Sequence, residues 1–249
     1  MKIANANYHF EISPRVMKNN IKLHFRKSPQ GPEAELVKKF LELKSIFIGE
    51  NLEYEVFTEA YAEAGIPDIL IVAWDKHFST NWCLERNKLV RDDIKILHHI
   101  STFKKLGIHK SKIFQQLGYT NIVIDKSLVK LDKAGLINEV DGRICVNEIK
   151  EKFFIRKIIT IEAKIKNWQH ALKQAQLNEN FSSHSYVLLP SERINKNILS
   201  CFDGRIGLLS QDSAKVVFKK KAAGATLPRS SFSWMLNEFI GRQYFSSNL

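Results

Sequence analysis

Two acids and a lysine carry the chemistry that this sequence offers. Asp68 follows Pro67, and Glu162 precedes Lys164 by two positions in Thr160-Ile161-Glu162-Ala163-Lys164. Asp68 opens the apolar run Ile69-Leu70-Ile71-Val72-Ala73-Trp74, which reads as a central strand. Arg156–Ile165 alternates with the period of a strand, with Ile159, Ile161 and Ala163 on one face and Thr160, Glu162 and Lys164 on the other. Residues two apart on a strand lie about 7 Å apart, so Glu162 and Lys164 present a carboxylate and an ammonium side by side. If the two strands pair, Asp68 and Glu162 can share a divalent cation, with Lys164 reaching a phosphate or an activated water. The competing reading of the same residues is a structural ion pair between Glu162 and Lys164.

The elements around these residues are legible from period and punctuation. Glu33–Lys44 reads as a helix, with Pro32 near its start, acids in its first turn, and Leu36, Val37, Phe40 and Leu41 as its apolar stripe. Asn51–Ala62 alternates as a strand, and Pro67 is tolerated at the start of the next one. Asn167–Asn178 has helical spacing through Trp168, Ala171, Leu172 and Ala175. Ser185–Pro190 is a buried strand, Ile198–Phe202 a short helix, Ile206–Ser210 and Val216–Phe218 further strands, and Phe232–Ile240 a last helix. Residues 1–30 are irregular and basic through Lys18, Lys22, Arg26 and Lys27.

Roughly eighty residues separate the two chemistry-bearing strands, and an insertion of that length should fold by itself. Leu89–Lys105, His109–Leu117 and Asn121–Ala134 read as three helices, the last ended by Gly135. Leu136–Val140 and Arg143–Val146 then flank Asp141-Gly142, a strong hairpin signal. Lys126, Lys130 and Lys133 recur at helical spacing on the third helix.

Pro67-Asp68, then Glu162-Ala163-Lys164, then an amphipathic helix and a further strand, resembles the PD-(D/E)XK nuclease superfamily. The resemblance implies an α/β, restriction-endonuclease-like fold: a mixed central sheet flanked by helices. It implies Mg²⁺ (or Mn²⁺) held by Asp68, Glu162 and the backbone carbonyl near Ala163, with Lys164 acting on the water or the phosphate. It also implies an acid from the first helix, Glu35 with Glu33 as the alternative, and a glutamine from the helix after the motif, Gln174. One branch has Q-x-x-x-Y there, and this chain has Asn178 in place of the tyrosine. The three helices and hairpin resemble a winged helix-turn-helix domain, which implies duplex DNA contacts from Asn121, Lys126, Lys130, Lys133 and Arg143, although such domains also dock proteins. The expected layout is a discontinuous nuclease-like domain, residues 1–78 and 152–249, with the winged helix over 79–151.

The composition agrees with that reading. A net charge of +12 favours a polyanionic partner, nucleic acid first. Across residues 89–148, however, ten Lys/Arg against seven Asp/Glu leave only a small excess. Cys83, Cys145 and Cys201 are scattered, odd in number and outside CxxC pairs, which suits a reducing compartment and neither a disulfide frame nor a zinc site. No signal-like or membrane-length apolar run is present, so the expectation is a cytoplasmic chain with no membrane partner. The sequence-based function is a Mg²⁺-dependent DNA endonuclease, in which a homodimer would let two sites cut both strands. The alternatives are a DNA-binding regulator that does not cleave, or a subunit of a larger defence, transposition or repair complex.

Overall fold

The computed structural model describes residues 30–43, 52–62, 65–75 and 82–246, with the single positions 21, 23, 24 and 77. The basic arm expected within residues 1–30 falls almost wholly outside them. In chain order, helix α1 (Pro32–Glu42) precedes strands β1 (Leu52–Thr58) and β2 (Ile69–Asp75). Next come α2 (Arg91–Thr102), α3 (Lys110–Leu117), α4 (Asn121–Lys133), β3 (Ile137–Val140), β4 (Arg143–Val146) and the single turn α5 (Ile149–Lys152). Then follow β5 (Ile155–Ala163), α6 (Trp168–Asn178), β6 (His184–Pro190), α7 (Lys196–Ser200), β7 (Gly207–Gln211), β8 (Val216–Lys220) and α8 (Ser231–Tyr244).

The chain divides into two compact units. The first holds Met1–Val16, His24–Asp75 and Ile155–Arg229; the second holds Met17–Leu23, Lys76–Phe154 and Ser230–Leu249. The first unit is mixed α/β, built on a six-stranded sheet in the order β1-β2-β5-β6-β7-β8. The β5–β6 and β6–β7 pairs are parallel and the other pairs antiparallel. On one face, Leu36 and Phe40 of α1 pack with Ile69, Ile71, Ile159, Ile161, Tyr186, Leu188 and Leu209. On the other, Ala171 and Ala175 of α6 pack with Val187, Leu189, Leu208 and Ile198 of α7. Alternation along β5 therefore reads correctly for Ile159, Ile161 and Ala163. The second face of that strand is buried as well, because α6 covers it. Thr160 is fully buried there and donates its hydroxyl to Ser185 Oγ at 3.0 Å.

The second unit contains α2, α3, α4, the β3–β4 hairpin, α5 and α8. Ile94, Leu97, Ile100, Ile113, Ile124, Leu131 and Leu136 are all buried. Asp141 and Gly142 both take positive φ, as a two-residue hairpin turn requires, and Ile137 pairs with Val146. Gly135 closes α4 in the left-handed conformation, with the Leu136 N–H donating to the Leu131 carbonyl at 3.0 Å. The expected layout kept residues 152–249 with the sheet, whereas Ser230–Leu249 joins Lys76–Phe154. The reason is α8. Its residues Ser231–Gly241 are buried around the whole circumference, so no polar stripe marks which neighbour it faces. Arg86 and Glu238 form an ion pair in this unit that is almost completely removed from solvent. Among the described residues, no helix is long and apolar enough to cross a membrane.

Candidate active site

β2 and β5 pair antiparallel with Ile69 opposite Ile161. One step further along the same register, Asp68 faces Glu162. Asp68 turns inward, and its Oδ2 accepts the Ala163 N–H at 2.7 Å. The backbone N–H of Lys164 donates to the Leu188 carbonyl at 3.1 Å, which continues the β5–β6 ladder past the end of β5. From that fixed backbone, Lys164 Nζ reaches Glu33 Oε2 at 3.0 Å and lies 3.8 Å from Asp68 Oδ2. Glu162 points to the α6 face, where its Oε1 accepts Asn178 Nδ2 at 2.7 Å. Its Oε2 is buried without a hydrogen-bond partner among the described residues. Sheet register thus brings together three residues drawn from two stretches far apart in the chain.

The charges respond to this crowding. Burial pushes the Glu162 carboxyl from 4.5 up to about 8, and the neighbouring Asp68 charge adds to the rise. The Asn178 hydrogen bond and the Lys164 ammonium pull it back only in part, and Glu59 pushes it further up. Burial lowers the affinity of Lys164 for its proton, but Asp68, Glu33 and Glu162 outweigh that, and its pKa is raised overall. Lys164 is therefore a cation at neutral pH.

Because Glu162 binds its proton more tightly folded than unfolded, metal-free stability is greatest below pH 4.5 on its account and falls as pH rises to about 8. In EDTA, Glu162→Gln should remove that fall and raise stability at the alkaline end by on the order of 1–3 kcal/mol. Thermal melts across this range check it; an unchanged slope in the variant would assign the fall to other groups.

Two expected residues are replaced by neighbours. Glu33, rather than Glu35, is the α1 acid at the lysine. Glu35 instead lines a separate pocket with Lys39, Glu192 and Asp212. Asn178, rather than Gln174, is the α6 residue that touches the motif. Both lie on α6, and Asn178, one helical turn further on, holds the contact with Glu162. Ala163 enters through its N–H, which Asp68 holds. Glu59 was missed altogether. Its place in an alternating strand marks only a side, yet it is buried, has φ of +56°, and donates its N–H to the Asp68 carbonyl at 3.4 Å.

The donor set fits a hard divalent cation. A buried carboxylate oxygen with no donor is satisfied by a proton or a cation, and Asp68 supplies a second carboxylate. Among the described residues, no group of three or more His, Cys, Asp and Glu is arranged as a metal cluster. Two carboxylates are nevertheless enough for Mg²⁺, which keeps several waters.

In the second unit, Asn121, Lys126 and Lys133 are exposed on α4, and Arg143 is exposed at the hairpin. Lys130 departs from that pattern. Its Nζ bonds the buried Asp93 at 3.0 Å, which also accepts from Ser127 Oγ at 2.6 Å, so this lysine helps hold α4 onto α2. The exposed side of α4 also carries Ile122, Val129, Asp125 and Asp132, and Asp125 is paired with Lys110.

No protein family, curated protein or solved structure matches this chain.

Proposed function

We propose that this chain is a metal-dependent DNA endonuclease with a restriction-endonuclease-like fold of the PD-(D/E)XK superfamily, carrying a winged helix for duplex DNA. One observation carries the reading: Asp68 and Glu162 face each other at the end of a strand pair, with Lys164 beside them and one Glu162 oxygen unpartnered. Asp68 and Glu162 would hold Mg²⁺ or Mn²⁺, which when bound polarises the phosphate and lowers the pKa of a coordinated water. Asn178 holds Glu162 Oε1 and so orients the other oxygen. Glu33 and Asp68 hold the Lys164 ammonium where charge develops on the phosphate, so that little reorganisation is needed during reaction. The net positive charge supplies phosphate affinity, and Asn121, Lys126, Lys133 and Arg143 would reach the duplex.

The test is incubation with supercoiled plasmid and linear duplex in Mg²⁺, Mn²⁺ or EDTA, alongside Asp68→Ala and Lys164→Ala. Metal-dependent nicking lost in both variants supports the nuclease. A second reading, a subunit that cleaves only with a partner protein, draws on the exposed side of α4. There Ile122 and Val129 are 66% and 54% exposed, between acids that repel phosphate. Salt-sensitive DNA binding without cleavage would favour that reading.

A further inference from the structure

A pocket of about 710 Å³ lies wholly within the second unit, between the end of α2 and the segment after β4. That volume is in the range of small-molecule sites. Phe103, Leu106, Val146 and Ile149 supply its apolar lining, and Leu106 is 78% exposed. The neutral polar side chains around it already donate to backbone carbonyls. Ser101 Oγ donates to the His98 carbonyl at 2.6 Å, and Thr102 Oγ1 donates to the His99 carbonyl at 2.7 Å. The Asn147 amide donates to the Gly135 and Ile137 carbonyls at 2.9 and 3.3 Å. The end of α2 is also closed, because the Phe103 N–H caps the Ile100 carbonyl at 3.1 Å.

What remains for a ligand is hydrocarbon and charge. Lys104, Lys105 and Lys150 line the pocket against the single acid Glu148, and none of the three lysines makes an ion pair among the described residues. Lys104 takes the left-handed conformation, with φ of +50°. A non-glycine residue pays strain there, and the turn it makes leads directly into the exposed Leu106.

We propose that this pocket binds an amphipathic organic anion: a hydrocarbon or aromatic body that covers Phe103, Leu106, Val146 and Ile149, with a carboxylate-type head held by the lysines. A neutral apolar ligand would leave the ammonium groups unused, and an inorganic anion would leave the apolar wall in water. The charge and the wall together select the class.

The probe is decanoate below its micellar range, measured by calorimetry on the full chain without DNA or metal. The result therefore stands or falls separately from the nuclease reading. Saturable binding is expected, with decanol at least about tenfold weaker because it lacks the charge. Leu106→Asp should weaken decanoate by about tenfold or more. The double reversal Lys105→Glu, Lys150→Glu should do the same while leaving the melting curve unchanged, since these side chains are exposed. No saturable binding, equal affinity for decanol, or indifference to both variants would overturn the proposal. So would tighter binding of a leucine-rich acidic peptide, which would make the pocket a protein-docking groove.

Discussion

Under the proposed nuclease function, Lys164→Ala should lower the initial rate of metal-dependent plasmid nicking by about 10²–10³-fold while the protein stays folded. The magnitude follows from the position of the side chain. Its backbone is fixed by the β5–β6 ladder and its ammonium by Glu33 at 3.0 Å, so the charge is already in place before the transition state forms. A charge held in this way would act on the phosphate without reorganisation, so its removal should cost more than that of a surface lysine. Glu33→Gln keeps the shape but loosens the tether, and should cost about tenfold through Lys164. The Lys164 side chain is 14% exposed and lies outside the apolar cluster beneath α1, so its loss leaves no cavity in that core. Rates for Lys164→Ala within about threefold of the parent at saturating Mg²⁺ would remove this residue from the chemistry.

Breaking the Arg86–Glu238 pair should produce the largest stability effect in the second unit. Arg86 Nε donates to Glu238 Oε2 at 3.0 Å, Arg86 Nη2 bonds Oε1, and the two side chains are 1% and 0% exposed. The same guanidinium donates to the Lys152 carbonyl at 3.0 Å and stacks 4.3 Å above the Trp82 ring. Glu238→Ala or Arg86→Ala leaves its partner as a buried charge without its two-point counter-ion, which costs about 3–5 kcal/mol. The double change Arg86→Met, Glu238→Leu removes both charges at similar volume and should cost much less than the two single changes added. Urea unfolding of the four proteins measures this. A loss below about 1 kcal/mol in the single variants would mean that water reaches the pair.

Much of the architecture was visible in residue order. The apolar run at Ile69–Trp74, the period-two run at Arg156–Ile165, the Asp141-Gly142 turn, the Gly135 stop and the helical stripe of α6 are local signals, because each depends on backbone preferences of adjacent residues. Those same signals placed Asp68, Glu162 and Lys164 at strand ends. Which partners complete the cluster was not visible. Glu33 and Glu35 both suit the first turn of a helix, and Gln174 and Asn178 both lie on α6. The choice within each pair follows from how far each helix is rotated about its axis, and packing against the sheet sets that rotation. Lys130 likewise looks like its neighbours in a basic row until Asp93 arrives from α2.

The sequence by itself determined most of the elements, the two strands that bear two acids and a lysine, and the existence of a separate unit between them, whereas the pairing of those strands is a tertiary fact. Tertiary structure alone decided the burial that raises Glu162, the acid that tethers Lys164, the amide that holds Glu162, and the unit to which α8 belongs. Local pattern specifies what each segment can become, because it acts through neighbours along the chain. Proton affinity, tethering and helix allegiance depend on groups that approach through space, such as the 16-residue reach from Glu162 to Asn178 and the 131-residue reach from Glu33 to Lys164.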